Sequence, residues 1–283
     1  MIVDKIKTYL TSKSKTFNQV ILDDAYIRFK NSVMRQFMVN RDFKSGNIYT
    51  TLVTKPCARQ SAYKYHGFEE EELPARTIFN FFIGDIVEMT VLMLAELAGV
   101  KITLNNEYLH VIREGEAVVC KPDGLFFDGK EYYNVEIKKM SDYTFNDFEK
   151  GILDDGWGYP AQYEMECEAW RQAKKPVEKT IFIGVKGLTG EFKEVIFKSD
   201  PKKLDSIFER IKKVKNSTKD VLPDRFYKPE IETYYKKKTG NLKLGIFCSY
   251  CSFKDRCWPD FKLEFTKNNY PIFRKPSPTK IEG

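Results

Sequence analysis

The chain has 283 residues, of which 42% are hydrophobic and 31% charged. That balance supports a packed α/β core with an appended lobe and excludes a largely disordered chain. Lys and Arg number 47 against 40 Asp and Glu, and the resulting +7 suits a polyanionic partner without requiring one.

The first residues carry Asp4, Lys5 and Lys7 where an export signal needs an apolar run, so the chain reads as soluble, intracellular and cytoplasmic. In a reducing compartment its six cysteines are expected as free thiols or metal ligands rather than disulfides. Val20, Ile21, Ile27, Val33 and Phe37 trace a helical pattern, followed by a turn at Lys55-Pro56-Cys57 and an acidic run from Glu69 to Glu72. Pro74 suits the first turn of a helix reaching about Leu97. Its apolar stretch, Ile78 to Val100, is interrupted by Asn80, Asp85, Glu88 and Glu96, which predicts a buried helix rather than a membrane span.

Strand-like residues from Glu116 to Cys120 return after Asp128-Gly129 as Tyr132 to Ile137, a hairpin signal. A helix is predicted from Pro160 to about Ala173, then a buried strand at Thr180–Val185 that pairs with Glu191–Lys198. Asp200-Pro201 opens an amphipathic helix with Leu204, Ile207, Phe208, Ile211 and Val214 on one face. From Asn216 to Lys238 the chain reads as a polar connector, and it ends in a Lys/Pro-rich tail predicted to be mobile. The organisation predicted is a helical N-terminal lobe at 1–75, a core at 76–215 and a cysteine-bearing segment at 216–283.

Glu136 and Lys138 are two apart on a predicted strand and share a face. Asp123 lies opposite Asn134 if the hairpin turns on Asp128-Gly129, and opposite Glu136 if it turns on Gly129-Lys130. In both registers it joins the face of Glu136 and Lys138. Two carboxylates and an amine beside apolar residues are costly unless compensated, and a Mg²⁺ or Mn²⁺ ion compensates them. A solvated strand with a salt bridge has the same residues.

The string Pro122-Asp123 … Glu136-Ile137-Lys138 resembles the signature of the PD-(D/E)XK nuclease superfamily. The resemblance implies a restriction-endonuclease-like mixed sheet flanked by helices. It also implies metal ligation by Asp123, Glu136 and the Ile137 carbonyl, with Lys138 serving the attacking water. In the RecB-like branch a helical Gly-x-x-x-His-Glu motif supplies a further ligand; here Gly84 to Glu88 puts Glu88 in the His position, where a helix glutamate could also simply pair with a lysine. The branch's Gln-x-x-x-Tyr motif is half present: Gln162 carries over, whereas Glu166 stands in place of the Tyr.

Cys248, Cys251 and Cys257 leave a metal one ligand short, and Cys57 is the candidate fourth. This layout is similar to the iron–sulfur subfamily of RecB-like nucleases, which includes CRISPR-adaptation exonucleases, the AddB nuclease domain and phage-encoded relatives. It implies a [4Fe-4S] cluster, with Zn²⁺ as the alternative on the same ligands. Cys120 and Cys167 fall within predicted elements as buried thiols. Arg59, Arg76 and Lys139 are candidates for phosphate contacts, and Tyr63, Tyr143 and Trp157 for base stacking. His66 and His110 form no ligand pair, and no phosphate-binding Gly-Lys-Ser/Thr loop is present.

The function expected is a divalent-metal-dependent DNA nuclease, an exonuclease on single-stranded or frayed ends, with a protein partner in recombination, repair or phage DNA metabolism. The rivals are a catalytically silent nucleic-acid-binding or partner-docking module of the same fold and a restriction-type endonuclease.

Overall fold

A computed structural model of the chain describes residues 1–15, 18–38, 48–103, 108–153, 155–187, 189–266 and 270–276. The protein is mixed α/β. Helices α1 (Ile2–Thr11) and α2 (Gln19–Val33, continued by a π-helical turn at Met34–Met38) come first, then α3 (Thr50–Val53) and α4 (Ala58–Tyr65). The long α5 (Ala75–Leu97) precedes β1 (Ile102–Thr103), β2 (Leu109–Arg113), β3 (Glu116–Cys120), β4 (Gly124–Phe127) and β5 (Tyr132–Met140). Next are α6 (Asp142–Glu149), α7 (Tyr159–Gln172), β6 (Val177–Lys186), β7 (Phe192–Lys198) and α8 (Lys203–Lys215). The last stretch holds β8 (Glu230–Tyr234), β9 (Lys237–Leu244), α9 (Ile246–Ser249), α10 (Lys254–Cys257), β10 (Lys262–Phe265) and β11 (Pro271–Lys275).

Contacts divide these elements into two units. The first joins Met1–Thr54 to Pro74–Phe208, and the second joins Lys55–Leu73 to Glu209–Gly283. This differs from the predicted division, because the N-terminal helices are not a lobe of their own. Ile2, Val3 and Ile6 of α1 are buried in the same cluster as Val135, Ile137, Ile181 and Ile183 of the sheet. The Val3 N–H also donates to Glu194 Oε2 on β7 at 3.0 Å.

In the first unit five strands run in the order β1-β4-β5-β6-β7, with β5 and β6 parallel and the other neighbours antiparallel. Thr180 to Val185 of β6 is buried throughout, as a central strand covered on both faces must be. The predicted pairing with β7 is present. Pro122 has no N–H for a ladder, and strand β3 ends two residues before it, at Cys120. As a result β3 pairs with β2 in a separate two-stranded sheet, while β4 and β5 form the hairpin. Asp128 Oδ1 accepts the N–H groups of Lys130 and Glu131 at 2.8 and 2.9 Å, and Gly129 has φ +101°. A side chain at that φ would be strained, so the turn needs its glycine.

Helix α5 is divided in its burial. Val91, Leu92 and Ala95 enter the core, whereas Phe79 and Phe81 nearer its start are exposed. The predicted burial therefore holds for its C-terminal half alone. Among the described residues α5 is the one helix long and apolar enough to cross a membrane. Its Asp85 is held to the α2 side by Ser32 Oγ at 2.6 Å, Gln36 Nε2 at 2.7 Å and Arg35 Nη2 at 2.8 Å. Those donors outweigh the cost of burial and hold its pKa below the usual value.

The second unit contains an antiparallel sheet in the order β10-β11-β9-β8 over Leu244, Cys248, Phe261 and Phe273. Strand β8 begins inside the stretch read as a connector. Its inward residue is Glu232, which accepts from Thr239 Oγ1 at 2.8 Å and Asn241 Nδ2 at 2.7 Å. A polar residue on the buried face hides the alternation by which a strand is read. The Lys/Pro-rich tail beyond residue 276 lies outside the described residues.

Candidate active site and cysteine cavity

The hairpin register settles where Asp123 stands. Gly124 pairs with Val135 and Phe127 with Tyr132, the register of a Gly129-Lys130 turn, and Asp123 stands in a bend one residue before that ladder begins, level with Glu136 in the same count. Its Oδ2 accepts the N–H of Ile137 at 2.9 Å. A strand residue's N–H and C=O point to the same edge, so the Ile137 carbonyl lies on the edge beside Asp123.

Val135 and Ile137 face the apolar cluster, and the alternation of β5 puts Asn134, Glu136 and Lys138 on the other side. Glu136 is 1% exposed. Its Oε1 is paired with Lys138 Nζ and accepts from Gln162 Nε2 at 2.8 Å, while Oε2 has no partner among the described residues. A buried carboxylate oxygen with no donor is expensive, and such an atom is where a cation belongs.

Four carboxylates share this electrostatic environment. Burial and then the charge of Asp123 push the Glu88 pKa up to about 8. The same two causes push Glu166 up to about 7 and raise Glu136 well above the usual range. Burial works against a charged Lys138, but Glu136 and Asp123 outweigh it and hold its pKa high. Lys138 is accordingly an ammonium that donates hydrogen bonds and orients what it touches. One ammonium does not neutralise four carboxylates, and a divalent cation would replace the protons that burial favours on Glu88, Glu136 and Glu166. The donor set is all oxygen, as Mg²⁺ or Mn²⁺ prefers. No three His, Cys, Asp or Glu side chains among the described residues converge on one ion, with one oxygen of Asp123 and one of Glu136 engaged by protein donors.

Glu166 and Asn134 are the residues that sequence reasoning missed. Glu166 is 1% exposed and accepts from Gln162 Nε2 at 2.9 Å and from Asn134 Nδ2 at 2.9 Å. The available signal was the i, i+4 spacing of Gln162 and Glu166 on one helix face.

The candidate nucleic-acid contacts separate by position. Arg76 and Tyr143 are exposed. Lys139 projects from β5 opposite to Lys138, with its stem against Gly187. Tyr63 is a correction: it is 3% exposed and packs against Phe68 and Phe253, with ring centroids 5.1 Å away in both cases. A ring enclosed on its faces cannot stack on a base. Arg59 is also engaged within its unit, donating to the Pro223 carbonyl at 2.8 Å and to Tyr63 Oη at 3.2 Å.

In the second unit, Cys57, Cys248, Cys251 and Cys257 line one cavity together with Tyr227 and Trp258. Cys57 precedes α4, Cys248 sits in α9, and Cys257 ends α10, so three short helices set the four thiols. None is in a disulfide. Burial and then the neighbouring cysteines push Cys248 up to about 12. Burial pushes Cys251 up to about 11 and also raises Cys257, where Arg59 and Arg225 pull the other way. Four thiolates together in an aromatic cavity are tolerable only when a cationic centre binds them. Cys120 and Cys167 are buried in the first unit beside Thr50 and Thr180, as expected of inert thiols.

No protein-family model matches the chain, and no curated protein matches it in sequence. Among solved structures it is similar to the crystal structure of SSO0001, at 15% identity and a TM-score of 0.48 over 83% of this chain and 96% of that chain. A likeness of that depth carries no chemistry, which must come from the site itself.

Proposed function

We propose that the protein is a divalent-metal-dependent DNA nuclease with a restriction-endonuclease-like core in its first unit, acting as an exonuclease on single-stranded or frayed ends. The observation that carries this reading is Glu136: buried, with Oε2 unpartnered among the described residues, next to the Ile137 N–H that Asp123 accepts and beside Lys138 on one face of β5. Asp123, Glu136 and Glu88, with the Ile137 carbonyl, would hold Mg²⁺ or Mn²⁺. The ion would supply charge neutralisation at a phosphate and an acidified water. Lys138 orients that water through its ammonium protons and offsets charge on the scissile phosphate. Gln162 holds Glu136 in place. Arg76 and Tyr143 are available to a strand at the surface, and the net charge of +7 favours a polyanion.

The four cysteines would hold a [4Fe-4S] cluster that fastens segment 55–73 to residues 209–283 within the second unit. Anaerobically purified protein should be brown, with iron and sulfide in equal amounts; colourless protein loaded with zinc would replace the cluster by a structural zinc.

The deciding experiment is cleavage of end-labelled single- and double-stranded DNA with Mn²⁺ or Mg²⁺. Activity should need the cation and a free end, and should be lost in Lys138→Ala. The ion pair of Lys138 with Glu136 also favours a second reading, a binding module without turnover. DNA binding by clean wild-type protein with no cleavage in either metal would select it.

A further inference from the structure

The hydrogen bonds behind Glu136 have directions that can be deduced one from the next. The indole N–H of Trp170 can only donate, and it donates to Asn134 Oδ1 at 3.1 Å. The amide of Asn134 is thereby oriented, and its Nδ2 faces Glu166 Oε2 at 2.9 Å and Thr180 Oγ1 at 3.3 Å. Glu166 accepts on both oxygens, since Oε1 takes the Gln162 Nε2 proton at 2.9 Å. The same nitrogen then gives its second proton to Glu136 Oε1 at 2.8 Å. Asn134, Glu136 and Glu166 are each at most 1% exposed, so solvent cannot repair a reversed amide at Asn134 or a mismatched contact at either glutamate.

We propose that Trp170, Asn134, Glu166 and Gln162 are positioning residues that fix the polarity of each hydrogen bond leading to Glu136 and so present its unpartnered Oε2 to a divalent cation. The inference rests on the metal-site reading above and deepens it. It assigns Glu166, which stands where the resemblance expects a tyrosine, the part of an acceptor that locks Gln162. Outer partners of this kind typically contribute about 10–100-fold to metal affinity.

The test is a polarity swap followed by Mn²⁺ titration, with free Mn²⁺ read by its paramagnetic resonance signal. Glu166→Gln puts an amide nitrogen against a donor at one end. Asn134 cannot turn to accept it while Trp170 holds its oxygen, so Gln162 must reverse and set its carbonyl against Glu136. Mn²⁺ affinity should fall about 10–100-fold. Asn134→Asp alone sets one carboxylate against another and should lose a comparable factor. The double variant Asn134→Asp/Glu166→Gln restores donor facing acceptor at each link and keeps the charge, and it should return to within about threefold of wild type, a coupling no pair of independent sites gives.

Melting of chelated protein, followed by circular dichroism, checks that each variant folds; if a single variant does not, recovery of folding and affinity in the double supports the relay equally. Wild-type affinity in Glu166→Gln, or a double variant no better than the singles, overturns the relay. Wild-type protein that binds no Mn²⁺ instead overturns the metal-site reading, and the relay falls with it.

Discussion

The acidic site of the first unit and the cysteine cavity of the second both bury groups whose charged forms need a cation, yet they meet the need differently. Around Glu136 the protein supplies its own partial answer: Lys138 as counter-ion, Gln162 as donor, and Asn134 and Glu166 behind them. Around Cys248 the balance is met by protonation, with burial holding that thiol near 12. On the proposed reading the difference is one of role: the carboxylates would be pre-arranged to exchange a cation during function, whereas the cysteines would need theirs in order to hold the second unit together.

The largest expected effect lies on the cysteine side. Cys251→Ser should abolish metal or cluster retention and unfold the second unit, because binding free energy of this type reaches about 10–16 kcal/mol in small structural sites and serves as folding free energy. Hydrogen exchange should show protection lost in 209–266 and kept in β5 and β6. Equal loss in both units would break the contrast.

Next comes Lys138→Ala, expected to lower the rate of DNA cleavage by about 10²–10⁴-fold with little change in melting temperature, measured on end-labelled substrate. A large stability loss with no specific rate effect would recast Lys138 as purely structural. Gly184→Ala tests how tightly the strand beside the site is packed. A Cβ there would stand 2.7 Å from Phe148 Cε1 and 3.0 Å from Met140 Sδ, so destabilisation of about 1–3 kcal/mol is expected in urea melts.

The most diagnostic effect is the pH dependence of chelated protein. Glu166 and Glu88 have folded-state pKa values raised to about 7 and about 8, so the folded state keeps protons that the unfolded chain releases above its ordinary carboxylate range near 4.5. Their contribution is fully present below about 4.5 and is lost as pH rises through 7 and 8. Thermal melts in chelator should therefore decline between about pH 5 and 8, and saturating Mn²⁺ should flatten that slope. A slope that Mn²⁺ leaves unchanged would mean that the ion does not meet these carboxylates.

Much of this was legible along the chain because it depends on local rules. Pro74, the Asp128-Gly129 hairpin signal, the apolar run of β6 and the spacing of Leu204 to Val214 each specify an element through neighbouring residues; all four elements are present, the hairpin turning on Gly129-Lys130. The shared face of Glu136 and Lys138 follows from the period of a strand, and the lone cysteine upstream does join the three downstream in one cavity. Three features could not be read that way. Strand β8 buries a glutamate and so lacks an apolar alternation, Tyr63 is enclosed by Phe253 from nearly two hundred residues away, and α1 belongs to the core of a sheet that forms much later in the chain.

What the sequence by itself determined is the inventory and its local geometry: which carboxylates, which amine, which thiols, and the two possible registers that bring Asp123 to them. Only the tertiary structure decided which register is adopted, that Glu166 and Asn134 stand behind Glu136, and that one oxygen of Glu136 has no donor among the described residues. The reason is physical. Periodicity and turn chemistry act between near neighbours, while desolvation and hydrogen-bond polarity depend on α7 closing over β5, and no run of residues carries that information in its order.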